Sequence, residues 1–218
     1  TAPDIHLGHA VPLRKLRAFQ ELGHQIILLI GDFTAKIGDP SGRSEARKPL
    51  TEEDVKKNMD GYLEQAGKII DIKKAEIVYN SSWFAKEGLR ELIELSSAGS
   101  IQQVLRRADF RKRLDEDNDI TLLEVLYPLF QGYDSVKVRA DVEIGGTDQL
   151  FNMLMGRRVQ RHYRAPEQDV LTTQILEGTD GVKKMSKSIG NYIGLTEAPN
   201  AMFSKIMAVK DELILKYF

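Results

Sequence analysis

Stretches with apolar residues every three or four positions alternate along the chain with short, almost continuously apolar runs. The first rhythm is that of a helix with one face inward, the second that of a buried strand. Residues 10–22 read as a helix with Val11, Ala18 and Leu22 on one face and Gly23 as its stop. Residues 25–30 are apolar after Gln25 and end at Gly31, the pattern of a parallel strand covered on both faces. Thr51 to Asp54 give a cap-like start to a helix reaching about residue 70, and residues 76–79 a second strand. Helices are expected over 84–95, 100–113 and 121–136, interrupted by an acidic run at 115–119. A third strand over 141–144 runs into Gly145-Gly146 and a helix to about residue 163, and a fourth strand over 170–176 precedes a polar loop, 178–190. This alternation predicts an α/β fold: a Rossmann-type parallel sheet with a helical insertion at about 84–136. There is no internal repeat and no low-complexity segment.

Composition narrows the class. With 42% hydrophobic and 29% charged residues, the 218-residue chain has the make-up of a globular protein, large enough for one large α/β domain or two smaller ones. A formal net charge of -1 gives no overall nucleic-acid signature, so RNA contacts are local or lie outside this chain. The absence of cysteine excludes disulfides, thiolate metal sites and a cysteine nucleophile, and fits a reducing compartment. No apolar stretch is long enough to span a bilayer, and no basic-then-apolar leader is present. Starting at Thr1 and ending mid-pattern at Tyr217-Phe218, the chain reads as a fragment.

Five clusters carry candidate chemistry. His6-Leu7-Gly8-His9 falls at a helix start, where unpaired amides and the helix dipole favour phosphate. Gly8 would let a nucleotide approach the backbone, and the two imidazoles, one turn apart, can donate to one ligand; two capping histidines fit the same residues. Lys184-Met185-Ser186-Lys187-Ser188 suits a lid that neutralises a departing pyrophosphate, and equally a solvated basic turn. Gly38-Asp39-Pro40-Ser41-Gly42-Arg43 is a turn former placed just beyond the first strand, at the edge where open α/β sheets bind ligands. Tyr127, Gln131 and Asp134 share one helix face, and such polar groups in a pocket need partners that a phenol and an ammonium would supply. Next along the chain, Gly145-Gly146-Thr147-Asp148-Gln149 closes the third strand, with room for a ribose and Asp148 to accept from its hydroxyls.

Taken in this order, these motifs resemble the class I aminoacyl-tRNA synthetases. Gly-Gly-Thr-Asp-Gln with Asn152, together with Asp134, makes the chain similar to the bacterial-type tyrosyl-tRNA synthetases rather than the tryptophanyl ones. The resemblance covers essentially the whole chain and implies tyrosine activation with Mg-ATP to tyrosyl-adenylate, followed by transfer to the 3′ end of tRNA(Tyr). It implies that Thr1 and His6 stabilise the ATP phosphates, that His9 and Gly8 lie against the nucleotide, and that Lys184 and Lys187 serve the pyrophosphate. Arg43 and Arg47 would face the pyrophosphate as well, while Gly146 and Asp148 hold ATP. Asp39, Tyr127 and Gln131 would take the tyrosine amino group, Asp134 its hydroxyl and Gln149 its carboxylate. No protein-ligated metal and no tightly bound cofactor are implied; Mg²⁺ comes with ATP. A cytoplasmic homodimer is implied, with the insertion at the dimer interface near the acceptor stem. A catalytic domain over 1–198, followed by the start of a connector toward tRNA-binding domains over 199–218, completes the picture. Among the basic residues of the insertion, Arg106, Arg107, Arg111, Lys112 and Arg113 leave a weak RNA role open. Two other functions remain compatible with parts of the pattern: a small-molecule adenylyltransferase, and a synthetase-like RNA-binding protein such as a splicing cofactor.

Overall fold

A computed structural model describes residues 4–41 and 51–218. Helix α1 (Leu7–Glu21) leads to strand β1 (Ile26–Ile30), α2 (Glu52–Ala66) and β2 (Ala75–Tyr79). Five helices follow: α3 (Ser81–Phe84), α4 (Leu89–Ser97), α5 (Ile101–Leu105), α6 (Ala108–Asp115) and α7 (Leu122–Val138). Strand β3 (Val142–Gly146), α8 (Leu150–His162), β4 (Asp169–Thr173), α9 (Pro199–Met207) and α10 (Ile214–Tyr217) complete the order. Among the described residues the strands form two pairs, β1 with β2 and β3 with β4, each joined by a helical crossover that makes the pair parallel. The class is as expected, α/β with a helical insertion, but the described strands make two pairs rather than one four-stranded ladder.

Several expected boundaries move, for local reasons. In α1 the inward residues are Ala10 and Leu13, whereas Ala18 is exposed and Leu22, just past the helix end, is 79% exposed, so the buried face is not the one expected. Gly23 does end it, with φ +88°. Strand β1 is not covered on both faces: Ile26, Leu28 and Ile30 are buried while Leu29 is exposed. Residues 84–95 do not form one helix, because Gly88 is extended and caps α4 afresh. Residues 100–113 break at Arg107, whose extended backbone opens α6. At Thr51 the cap is as read: Asp54 N–H donates to Thr51 Oγ1 and Thr51 N–H to Asp54 Oδ2, both at 3.1 Å.

Two compact units emerge, one drawn from Thr1–Ile26, Lys57–Glu76 and Thr173–Phe218, the other from Ile27–Lys56 and Ile77–Thr172. The second holds the main apolar cluster, with Phe84, Leu95, Val104, Phe110, Leu129, Tyr133, Met155 and Val159 buried together. Helices α7 and α8 approach closely because Gly132 lacks a side chain: a Cβ there would stand 2.7 Å from Val159 Cγ2. At the start of α7 a buried ion pair joins Glu124 to Arg113 of α6 at 2.6 Å. Glu124 also closes the capping box of α7, accepting from Thr121 N–H at 3.0 Å while its own N–H donates to Thr121 Oγ1.

Candidate active site

In the first unit two motifs about 180 positions apart in sequence come together. Leu7 N–H donates to Ile193 O at 3.0 Å and His6 forms a bridge with Gly194, so the segment after the lysine loop runs beside the start of α1. Met185 is 1% exposed, and its Cβ lies close to Gly8. Lys187 forms an ion pair with Asp4, two residues before His6, which raises the lysine pKa. The loop is therefore held at its middle by a buried methionine, with Lys184 and Lys187 exposed on either side.

His6 and His9 stack obliquely, ring centroids 3.9 Å apart. His6 is buried, and burial first, then the Lys184 charge, lowers its pKa to about 4. At neutral pH it is an uncharged imidazole, able to donate one N–H. His6 N–H donates to His9 Nδ1 at 3.3 Å, so the capping role exists beside any ligand role. Gly8 has an intramolecular reason to be glycine: a Cβ would sit 3.0 Å from His6 Cε1.

The lysine loop owes its shape to Asn191, which the sequence reading passed over. Asn191 Nδ2 donates to Asp180 Oδ2 at 2.8 Å and to Lys184 O at 3.2 Å, while its Oδ1 accepts from Ser186 N–H at 2.8 Å. Gly178 makes room for it, since a Cβ at that position would lie 2.1 Å from Asn191 Nδ2. Asp180 in turn accepts from the Val182 and Lys183 amides, which lowers its pKa.

The second unit holds a cluster of hydrogen-bonded polar side chains near the carboxyl ends of β1, β2 and β3. Asp134 is buried; Oδ1 accepts from Trp83 Nε1 at 3.0 Å and Oδ2 from Asn80 Nδ2 at 3.2 Å. Burial pushes its pKa up to about 7; the two donors pull it down, and Glu143 and Asp32 push it up. Asn80 also donates to Thr34 Oγ1 at 3.0 Å and accepts from Phe33 N–H at 2.9 Å, tying the ends of β1 and β2 to α7. Gln131 bonds to Glu143, whose pKa burial raises. Tyr127 is half-buried on the same helix. Asp39 is held from both sides: Oδ1 accepts from Ser41 N–H and Oδ2 from Gln149 Nε2, each at 2.9 Å. Asp148 Oδ1 packs over Gly146, where a Cβ would lie 2.5 Å away.

Thr1, Arg43 and Arg47 lie outside the described residues. His6, Gly8, His9, Lys184 and Lys187 belong to the first unit; Asp39, Tyr127, Gln131, Asp134, Gly146, Asp148 and Gln149 belong to the second.

Residues 1–218 match throughout the family described as tRNA synthetases class I (W and Y). The chain belongs to this family. Within it, the class I synthetase chain is 54% identical over 218 residues to a tyrosine--tRNA ligase of Geobacter metallireducens, covering 100% of this chain and 54% of that relative. It is 56% identical to a tyrosine--tRNA ligase of Aromatoleum aromaticum, covering 55% of it. The synthetase chain thus spans about half the length of these curated relatives. A tyrosyl-tRNA synthetase of Archaeoglobus fulgidus solved with L-tyrosine superposes with TM-score 0.78 at 26% identity, covering 96% of this chain and 62% of that one. A C-terminally truncated mitochondrial tyrosyl-tRNA synthetase of Aspergillus nidulans shares the fold, with TM-score 0.76 at 23% identity, covering 100% of this chain and 69% of that one.

Asn80, Trp83 and Asn191 were missed in the synthetase sequence for a common reason. None stands in a charged or glycine-rich motif, and each gains its role from a partner at least five positions away. The one available signal was position, since Asn80 and Trp83 follow directly on a strand end. Arg107 and Arg113 are buried, which removes both from the exposed basic patch considered for RNA.

Proposed function

We propose that the protein, in its whole form, activates tyrosine with ATP and transfers it to tRNA(Tyr). The tyrosine carboxylate attacks the α-phosphorus of Mg-ATP, the bond to the β-phosphate oxygen breaks, and tyrosyl-adenylate and pyrophosphate result. A terminal ribose hydroxyl of the tRNA then attacks the tyrosyl carbonyl, and AMP leaves. No side chain forms a covalent intermediate; orientation and charge neutralisation carry the rate.

The observation that carries this reading is the meeting of the histidine motif with the Lys184–Lys187 loop inside one unit, Met185 anchoring the loop beside Gly8. Neutral His6, with Thr1, would stabilise the ATP phosphates and His9 would lie against the nucleotide, while Lys184 and Lys187 would neutralise the departing pyrophosphate, helped by Arg43 and Arg47. Gly8, Gly146 and Asp148 would cradle the nucleoside. Asp39, Tyr127 and Gln131 would receive the amino group, Gln149 the carboxylate and Asp134 the phenol. The names of the relatives favour tyrosine over tryptophan. We further propose a cytoplasmic homodimer, Mg²⁺ arriving with ATP, and a catalytic domain over 1–198 with an interface insertion at about 84–136, followed by a connector from 199. Among the described residues no helix is long and apolar enough to cross a membrane.

The test is pyrophosphate exchange into ATP by the full-length protein. Exchange that depends on tyrosine is expected. Exchange driven only by tryptophan or by another carboxylic acid, or RNA binding without exchange, ends the assignment.

A further inference from the structure

A closed set of hydrogen bonds runs from the insertion to the Asp39 turn, all within the second unit. At its centre is Arg107, at the break between α5 and α6, with a side chain 5% exposed. Its Nη2 donates to Ser41 Oγ at 2.9 Å and its Nη1 to Asn152 Oδ1 at 3.1 Å. Asn152 Nδ2 donates to the same Ser41 Oγ at 3.1 Å and to Gln149 Oε1 at 3.0 Å. Ser41 N–H and Gln149 Nε2 then hold the two oxygens of Asp39. The guanidinium is itself fixed: Asp109 takes Nε at 3.1 Å and Nη2 at 2.7 Å, and the rings of Phe110 and Phe151 lie 5.2 and 5.0 Å from Cζ.

We propose that Arg107 is a positioning residue for tyrosine binding, setting Asp39 and Gln149 through Ser41 and Asn152. The proposal rests on the reading that Asp39 and Gln149 contact the amino acid. Its physical content is orientation. An amide such as Gln149 has two faces, and Asn152 chooses between them by donating to Oε1, which turns Nε2 toward Asp39. Asn152 has the same ambiguity, and Arg107 resolves it by donating to Oδ1. The serine hydroxyl receives two donors, which leaves its own proton directed away from both. A planar fork held by a carboxylate and two rings does this with little conformational freedom, which a lysine ammonium cannot reproduce.

A residue that merely filled space here would alter melting temperature and leave substrate constants alone. The experiment therefore follows pyrophosphate exchange by the full-length enzyme, with KM for tyrosine and for ATP determined separately and melting recorded beside them. Arg107→Lys and Ser41→Ala should each raise KM for tyrosine by ~10–100-fold, the scale of a small misplacement of binding groups, with KM for ATP unchanged. Ser41→Thr, which keeps the hydroxyl, should restore it. Combined with Gln149→Ala, the Arg107→Lys effect should be less than additive, because both act through one amide. Should Arg107→Lys fail to fold, the Ser41 pair and its combination with Gln149→Ala decide alone. The proposal is overturned if Asp39→Ala raises KM for tyrosine while Arg107→Lys and Ser41→Ala do not. If Asp39→Ala also leaves it unchanged, the reading of the tyrosine site itself has failed.

Discussion

Asp134 is a carboxylate that the fold both buries and equips with donors. Its two partners, Asn80 and Trp83, only partly offset the cost of burial, so the pKa of about 7 stands well above its ordinary 3.8. Between about pH 4 and 7 the folded protein therefore holds more protons at this position than the unfolded chain does. The contribution to stability is full at low pH and is lost as pH rises through that window. Glu143 acts in the same direction, whereas His6, with its pKa lowered to about 4, adds stability above pH 6.5 and loses it on acidification. Asp134→Asn should gain stability relative to the parent, more at pH 8 than at pH 5, in urea unfolding; equal differences at both values would remove the residue as the source. In the full-length enzyme the same substitution should reduce the preference for tyrosine over phenylalanine by ~10–100-fold, the worth of a hydrogen bond to a charged group. Sites that bond a substrate hydroxyl reject the analogue lacking it, tyrosyl enzymes being a known example. An unchanged ratio of kcat/KM values would exclude Asp134 from the phenol.

The lysine loop works as an element, with one buried anchor, one asparagine brace and two glycines, Gly181 and Gly190, at φ +69° and +79°. Asn191 bonds to both sides of Met185, so its loss should free the loop without touching Asp39, Asp134 or Gln149. Asn191→Ala should lower the rate of adenylate formation and leave tyrosine affinity intact in single-turnover measurements; a parallel loss of affinity would count against this. Lys187→Ala should show the same separation more strongly, since it removes the charge itself. Gly178→Ala should mimic Asn191→Ala, because the added methyl meets Asn191 Nδ2 at 2.1 Å.

At the scale of the whole molecule, Arg113 and Glu124 form a buried pair with side chains 1% and 7% exposed, the guanidinium lying 5.9 Å from the ring of Phe110 in the apolar cluster. Breaking the pair leaves a buried charge without its partner. Glu124→Gln should therefore destabilise the fold by ~3–5 kcal/mol in urea unfolding, while replacing both residues by apolar ones should restore much of that. A loss under about 1 kcal/mol would place the pair among exposed, weakly coupled ions. The sequence by itself determined the α/β class, the approximate place of each strand and the family that the motifs resemble. All of these rest on local periodicity and on short runs of residues adjacent along the chain. Tertiary structure decided which face of α1 turns inward, where the inserted helices break, and that Gly8 makes room for His6. It also decided that Asn80 and Trp83 bond Asp134, that Arg107 bonds Ser41 and Asn152, and that Asn191 bonds the lysine loop. The contacts of Asn80, Trp83, Arg107 and Asn191 reach partners 5 to 66 positions away, brought near by packing that no local pattern encodes.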